Sequence, residues 1–219
     1  MKRPFIIGLL ALGALLPVHA GIYSAGNVNG NGTALNLGIP DGTPIGVAST
    51  INVSRAGSML SAVTVTLNVA GGYNGGLYAY LSYNGMAVTL LNQVGTGTGN
   101  AIQQTFGFST SGFNNVTLSD TGNGGDIHDV ATPGSLPAVS YTPDGGSLAT
   151  FNGADPNGMW TLYFADLTAG STSTLEGWSL DITTVPEPVN VALAIFGGLL
   201  AIRRLRRWRC DPAPVTSSN

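Results

Sequence analysis

The chain has 219 residues, 32 of them glycine and 9% charged; it is long enough for one or two domains, and its charge content is far below the roughly 25% of an average soluble protein. Seven of the eight basic residues lie at the ends, Lys2 and Arg3 at one and Arg203, Arg204, Arg206, Arg207 and Arg209 at the other. Between residues 21 and 184 one basic residue, Arg55, faces nine acids, a balance about eight charges negative that excludes nucleic acid or any polyanion bound by a basic patch.

Residues 1–20 begin Met1-Lys2-Arg3, run through the apolar stretch Phe5 to Leu16 and finish on Val18-His19-Ala20. A charged start, an apolar middle and a small-residue exit are the parts of a secretory signal peptide, with cleavage expected after Ala20. The following span, 21–184, is rich in Gly, Asn, Ser and Thr and alternates with period two. Val63, Val65, Leu67 and Val69 point one way, with Thr64, Thr66 and Asn68 opposite. Trp160, Leu162 and Phe164 alternate with Thr161, Tyr163 and Ala165, and Trp178, Leu180 and Ile182 with Ser179, Asp181 and Thr183. Short strands with one buried face and many turns predict an all-β, antiparallel sandwich or barrel.

Past that span, Val185-Pro186-Glu187-Pro188 leads into the apolar run 189–202 and then the arginine cluster Arg203, Arg204, Arg206, Arg207 and Arg209. Fourteen residues reach about 21 Å as a helix, against a hydrocarbon thickness of about 30 Å. Snorkelling arginines and local thinning of the bilayer offset the shortfall, so 189–202 is expected to be a short transmembrane helix. Positive charge stays on the cytoplasmic side, which places 210–219 in a cytoplasmic tail and the body of the chain across the inner membrane. The sole cysteine, Cys210, falls in that tail, so no intramolecular disulfide supports the exported part.

The Val-Pro-Glu-Pro stretch, short apolar helix and terminal arginines over 185–209 resemble the PEP-CTERM sorting signal of bacteria with two-membrane envelopes. That resemblance implies recognition by an exosortase near Val185, Pro186, Glu187 and Pro188. It also implies release or attachment at the outer surface or in the extracellular matrix, and an association with extracellular polysaccharide. The chain runs ten residues beyond Arg209, further than such tails usually do.

A second resemblance covers about 36–183. It is carried by Ile39-Pro40-Asp41-Gly42, by Gly71-Gly72-Tyr73-Asn74-Gly75-Gly76, and most specifically by Asn157-Gly158-Met159-Trp160-Thr161-Leu162 and Leu175-Glu176-Gly177-Trp178-Ser179-Leu180. These are similar to the P domain (Homo B domain) that follows the subtilisin-like catalytic domain of proprotein convertases. The resemblance implies a jelly-roll β-sandwich. Gly71 and Gly76 stand where that family often has His and Asp, and the catalytic neighbour is missing from the sequence.

For chemistry of its own the sequence offers little. One histidine, His128, follows the signal, in a turn-rich stretch that reads as an exposed loop; a Gly-x-Ser-x-Gly elbow and a His-Glu-x-x-His motif are both absent. The chain is therefore expected not to be an enzyme. Asp120, Asp126 and Asp129 lie within ten residues beside Asn123 and flexible glycines, a set that either supplies oxygens to calcium or forms ordinary turns. Asp155 and Asp166 flank the Trp160 strand as turn caps or metal ligands. Trp160 and Trp178 are expected in the core, and Tyr73, Tyr78, Tyr80 and Tyr83 on an exposed aromatic face. The function expected is a non-catalytic exported surface or matrix protein associated with exopolysaccharide. The alternative is an accessory module docking on a separate subtilisin-like peptidase.

Overall fold

The structure is a computed structural model, and it describes residues 19–57, 59–97, 107, 112–129, 139–185 and 188–210. Residues 1–18, Pro186 and Glu187, and 211–219 lie outside the described residues, and with them most of the expected signal peptide and half of the Val-Pro-Glu-Pro stretch. Val18–Val185 is one compact unit, and the C-terminal helix belongs to another.

Among its described residues the larger unit has ten strands: β1 (His19–Gly26), β2 (Leu37–Ile39), β3 (Thr43–Val53), β4 (Met59–Gly71), β5 (Leu77–Tyr83), β6 (Met86–Asn92), β7 (Phe113–Leu118), β8 (Ser140–Tyr141), β9 (Gly158–Asp166) and β10 (Ser173–Val185). One sheet is ordered β1-β10-β4-β7-β8, with β2 also on β10; the other is ordered β3-β9-β5-β6. Every pair is antiparallel except β7 with β8, which amends the fully antiparallel expectation at one two-residue ladder.

Period-two alternation sets the packing. Val63, Val65, Leu67 and Val69 of β4 and Trp178, Leu180 and Ile182 of β10 face inward from one sheet. Leu77, Ala79 and Leu81 of β5 and Trp160, Leu162 and Phe164 of β9 face inward from the other, and all of these belong to one shared apolar cluster. The Trp178 indole donates to Ser49 Oγ of β3 at 2.9 Å, tying the two layers together. The all-β sandwich expected from the sequence is the architecture observed.

Helix α1 (Pro188–Cys210) starts on a proline, whose missing N–H costs nothing in a first turn, and it continues through the arginines. Leu193, Ile195, Phe196, Leu199, Leu200 and Ile202 are each at least 52% exposed. Among the described residues no helix is long and apolar enough to cross a membrane. This corrects the expected transmembrane helix 189–202. The helix has the length, but its apolar part gives way to Arg203 and Arg204 after about 21 Å.

Candidate functional site

Three places on the sandwich gather chemistry-bearing side chains, and the first is the outer face of the four-stranded sheet. The ladders align Ala48, Tyr163, Tyr80 and Thr89 in one row across β3, β9, β5 and β6. The next row is Thr50, Thr161, Ser82 and Ala87. None of these eight residues is buried, and none is charged. Tyr80 stacks on Tyr163 with centroids 4.9 Å apart and planes 22° from parallel, and Tyr78 meets Tyr80 edge-on at 6.3 Å. The Tyr163 hydroxyl is fixed between two backbone groups, donating to the Pro44 carbonyl and accepting from the Gly46 N–H. Tyr78 and Thr89 hydroxyls lie 3.4 Å apart.

Of the four tyrosines expected on an exposed face, Tyr78 and Tyr80 stand there. Tyr83 does not. It shares its parity with Leu77, Ala79 and Leu81, is 8% exposed, and lies flat on Trp160 with centroids 4.1 Å apart. Burial, and secondarily the charge of Asp155, raises its pKa above that of free tyrosine. Tyr73 sits outside the sheet, in the β4–β5 connection. Tyr163 completes the stripe from a neighbouring strand, a pairing that alternation within one strand cannot reveal.

The second place is the segment around His128. Asp120, Asp126 and Asp129, which the sequence reads as calcium ligands or as turn formers, have diverging roles. The Asp120 carboxylate accepts the N–H groups of Leu148 and Ala149 and the Ser147 hydroxyl at 2.7–2.8 Å, holding the 3₁₀ turn Leu148–Phe151. Asp126 Oδ1 accepts the His128 N–H at 2.9 Å in a local turn. Among the described residues no three His, Cys, Asp or Glu side chains form a group able to hold a metal. The physical reason is that turn N–H groups take up the Asp120 and Asp126 oxygens that calcium would need.

His128 is not the exposed loop residue expected. Its Nδ1 lies 2.8 Å from Asp144 Oδ2 and its Nε2 lies 2.9 Å from the Thr96 carbonyl. The Asp144 oxygen also accepts the Asn92 N–H at 2.9 Å, so the cluster ties the edge of β6 to two connecting segments. A carbonyl only accepts, so Nε2 carries a proton; with a carboxylate on the other side, the imidazolium satisfies both contacts. Burial alone would lower the His128 pKa, but the hydrogen bond and charge of Asp144, the Thr96 carbonyl and the charge of Asp129 together raise it. Burial raises Asp144, with His128 and the Asn92 N–H working against it and Asp126 with it.

The sign for stability follows. A histidine whose folded pKa exceeds its unfolded value of about 6.5 contributes fully below that value and loses its contribution as pH rises through the folded one. Melting temperature is therefore expected to fall from pH 6.5 upward in the native chain, and the slope over this range is expected to flatten in His128→Gln. Equal slopes by circular dichroism would contradict the ion pair.

The third place is the end of the sandwich where Asp166 is buried, 1% exposed. Asp155 caps a turn, accepting from the backbone and side chain of Asn157, whereas Asp166 accepts the Thr168 N–H through Oδ1 and has the Ser173 hydroxyl beside it.

Of the expected processing residues, Ala20 lies in β1 opposite Thr183, Val185 ends β10 and Pro188 opens α1. Arg203, Arg204, Arg206 and Arg207 lie in the C-terminal part of α1, where positive charge suits the helix dipole.

No family model matches the chain, and no curated protein matches it. Among solved structures, the crystal structure of a serine protease of Aeromonas sobria is similar at 15% identity and a TM-score of 0.43, over 78% of this chain and 28% of that one. The same protease in complex with its chaperone (ORF2) is similar at 16% identity and a TM-score of 0.45, over 79% and 28%. The chain thus spans about 28% of the length of those it resembles. Similarity of this degree assigns neither topology nor activity.

Proposed function

We propose that this chain is a non-catalytic envelope protein, exported behind the 1–20 signal, sorted through residues 185–209 by an exosortase, and associated with neutral extracellular polysaccharide. The observation that carries the reading is the uncharged outer face on which Tyr80 and Tyr163 stack. Aromatic faces flanked by hydroxyls and small side chains suit ligands that are themselves polyhydroxylated and uncharged, since each ring offers apolar contact area and an electron-rich face. Supporting the non-catalytic part, both ring nitrogens of His128 are engaged within the protein, which leaves neither lone pair for general-base work. Supporting the sorting part, α1 exposes Leu193, Ile195, Phe196, Leu199, Leu200 and Ile202, an apolar surface that calls for a covering partner.

The P-domain-like, jelly-roll reading belongs to the same proposal. Its two most specific stretches supply β9 and β10, and their tryptophans are fully buried.

The glycan claim is tested by affinity electrophoresis in gels containing the host's extracellular polysaccharide. Tyr80→Ala with Tyr163→Ala is expected to abolish retardation while lowering stability modestly, because both rings are half-buried. Retardation equal to that of the native chain would overturn the assignment of this face.

A further inference from the structure

Three connections cross from one sheet to the other at the same end of the sandwich. Ser173, at the start of β10, pairs with Ile39 of β2 and with Gly71 of β4. Asp166, at the end of β9, pairs with Thr43 of β3 and with Leu77 of β5. Segments 40–42, 72–76 and 167–172 therefore run side by side between the layers, carrying Asp41, Asn74 and the link from Asp166 to Ser173.

Three polar side chains are buried at this end. Asn74 is 0% exposed, and Asp166 and Ser173 are 1% exposed each. By geometry both side-chain polar atoms of Asn74, Oδ2 of Asp166 and Oγ of Ser173 lack a hydrogen-bond partner among the described residues, although the Ser173 hydroxyl stands near enough to the Asp166 carboxylate to favour its ionised form. Native interiors leave few such groups, and four at one end of one domain call for a missing ligand. The glycines of segment 72–76 bring backbone directly against this spot. A Cβ at Gly76 would stand 2.5 Å from Asp166 Oδ1, and one at Gly72, where φ is +73°, would stand 1.7 Å from Ser173 Oγ.

No lysine or arginine of 21–184 stands near Asp166. Arg55, the one basic residue of 21–184, follows the far end of β3, ten strand positions from Thr43 and so about 33 Å away. Asp41 adds a second negative charge near Asp166, its own carboxylate held by the Gly170 N–H at 3.0 Å. Burial foremost, and then the Asp41 charge, raise the Asp166 carboxyl, with the Thr168 N–H and the Ser173 hydroxyl working against them.

From this placement we propose that the three crossovers form a calcium site, with Asp166 Oδ2, Asn74 Oδ1 and Ser173 Oγ as protein ligands and Asp41 as a charge beside them. The donors are all oxygens, one anionic and two neutral, and irregular loops and water supply the remainder of the six to eight that calcium takes. Magnesium, which demands compact octahedral geometry, suits such a cradle poorly. The site is separate from the Asp120–Asp129 segment and independent of the tyrosine face.

The test is calorimetric titration of the full chain with calcium chloride, paired with thermal unfolding in calcium, in magnesium and in chelator. One calcium per chain and a melting temperature several degrees higher in calcium than in chelator are expected. Asp166→Asn should abolish binding. Its stability in chelator should equal or exceed that of the native chain, because a buried uncompensated charge is gone. Asp41→Asn keeps the turn and should weaken binding roughly tenfold, as loss of a supporting charge does; should Asp166→Asn fail to fold, this variant decides. Absence of calcium binding in the native chain, affinity unchanged in Asp41→Asn, or stabilisation by magnesium alone would each overturn the site.

Discussion

Trp160→Ala and Trp178→Ala should each destabilise the sandwich by about 3–5 kcal/mol, the cost of emptying a large buried site. For a unit of this size that is a fall in melting temperature on the order of ten degrees. Both side chains are fully buried, and each loss compounds. Trp160 stacks on Tyr83, meets Phe151 edge-on at 5.1 Å and donates to the Pro156 carbonyl at 2.9 Å. Its removal uncovers the ring that closes β5 against the 155–157 turn, where the Tyr83 hydroxyl donates to the Asp155 and Asn157 carbonyls. Trp178 spans the layers through Ser49. An unchanged melting temperature in either variant, with loss of glycan binding, would move that tryptophan from core to ligand contact.

A comparably large effect is expected at Gly26, where β1 ends against the irregularity in β10. Its φ is +79°, and a Cβ there would lie 2.3 Å from the Glu176 carbonyl oxygen and 2.8 Å from Gly177 Cα. That carbonyl accepts the N–H groups of both Asn27 and Leu35, so it cannot retreat without breaking two hydrogen bonds. Gly26→Ala is expected to cost about 2–4 kcal/mol, combining a left-handed backbone with a backbone collision. Gly30→Ala supplies the comparison, with φ of +77° and nothing within 4 Å of the added Cβ; it should cost about 1 kcal/mol, the conformational part alone. Equal losses in the two variants by chemical denaturation would refute the steric account.

The sandwich was legible because period two reports burial directly. In β4, β9 and β10 the apolar positions named from alternation are those found buried, and both tryptophans fall among them. Tyr83 shows the rule working against an impression of shared residue type. Counting from Leu77 puts it inward, whatever the tyrosines before it do. What alternation cannot supply is the register between strands. Tyr80 and Tyr163 are 83 positions apart and meet because β5 pairs with β9. His128 finds Asp144 sixteen residues away through a loop with no motif. Asp41, Asn74 and Ser173 come to the same end as Asp166 through crossovers that no spacing announces. For Asp120, Asp126 and Asp129 the sequence left calcium ligands and ordinary turns both open. Nearness in sequence places residues on one loop, and the N–H groups of neighbouring turns then compete for their oxygens. At the C-terminus, composition correctly marked a helix, while its length in apolar residues, the quantity that decides membrane crossing, fell short.

Export and sorting are the centre of the account, and the mass of the mature chain tests them most directly. Protein recovered from the outer surface of host cells should begin at Gly21, keeping the part of β1 that pairs from Ile182 to Gly177, and should end close to Pro188. Recovery of the intact chain through Asn219 from inside the cell, with none outside, would contradict it.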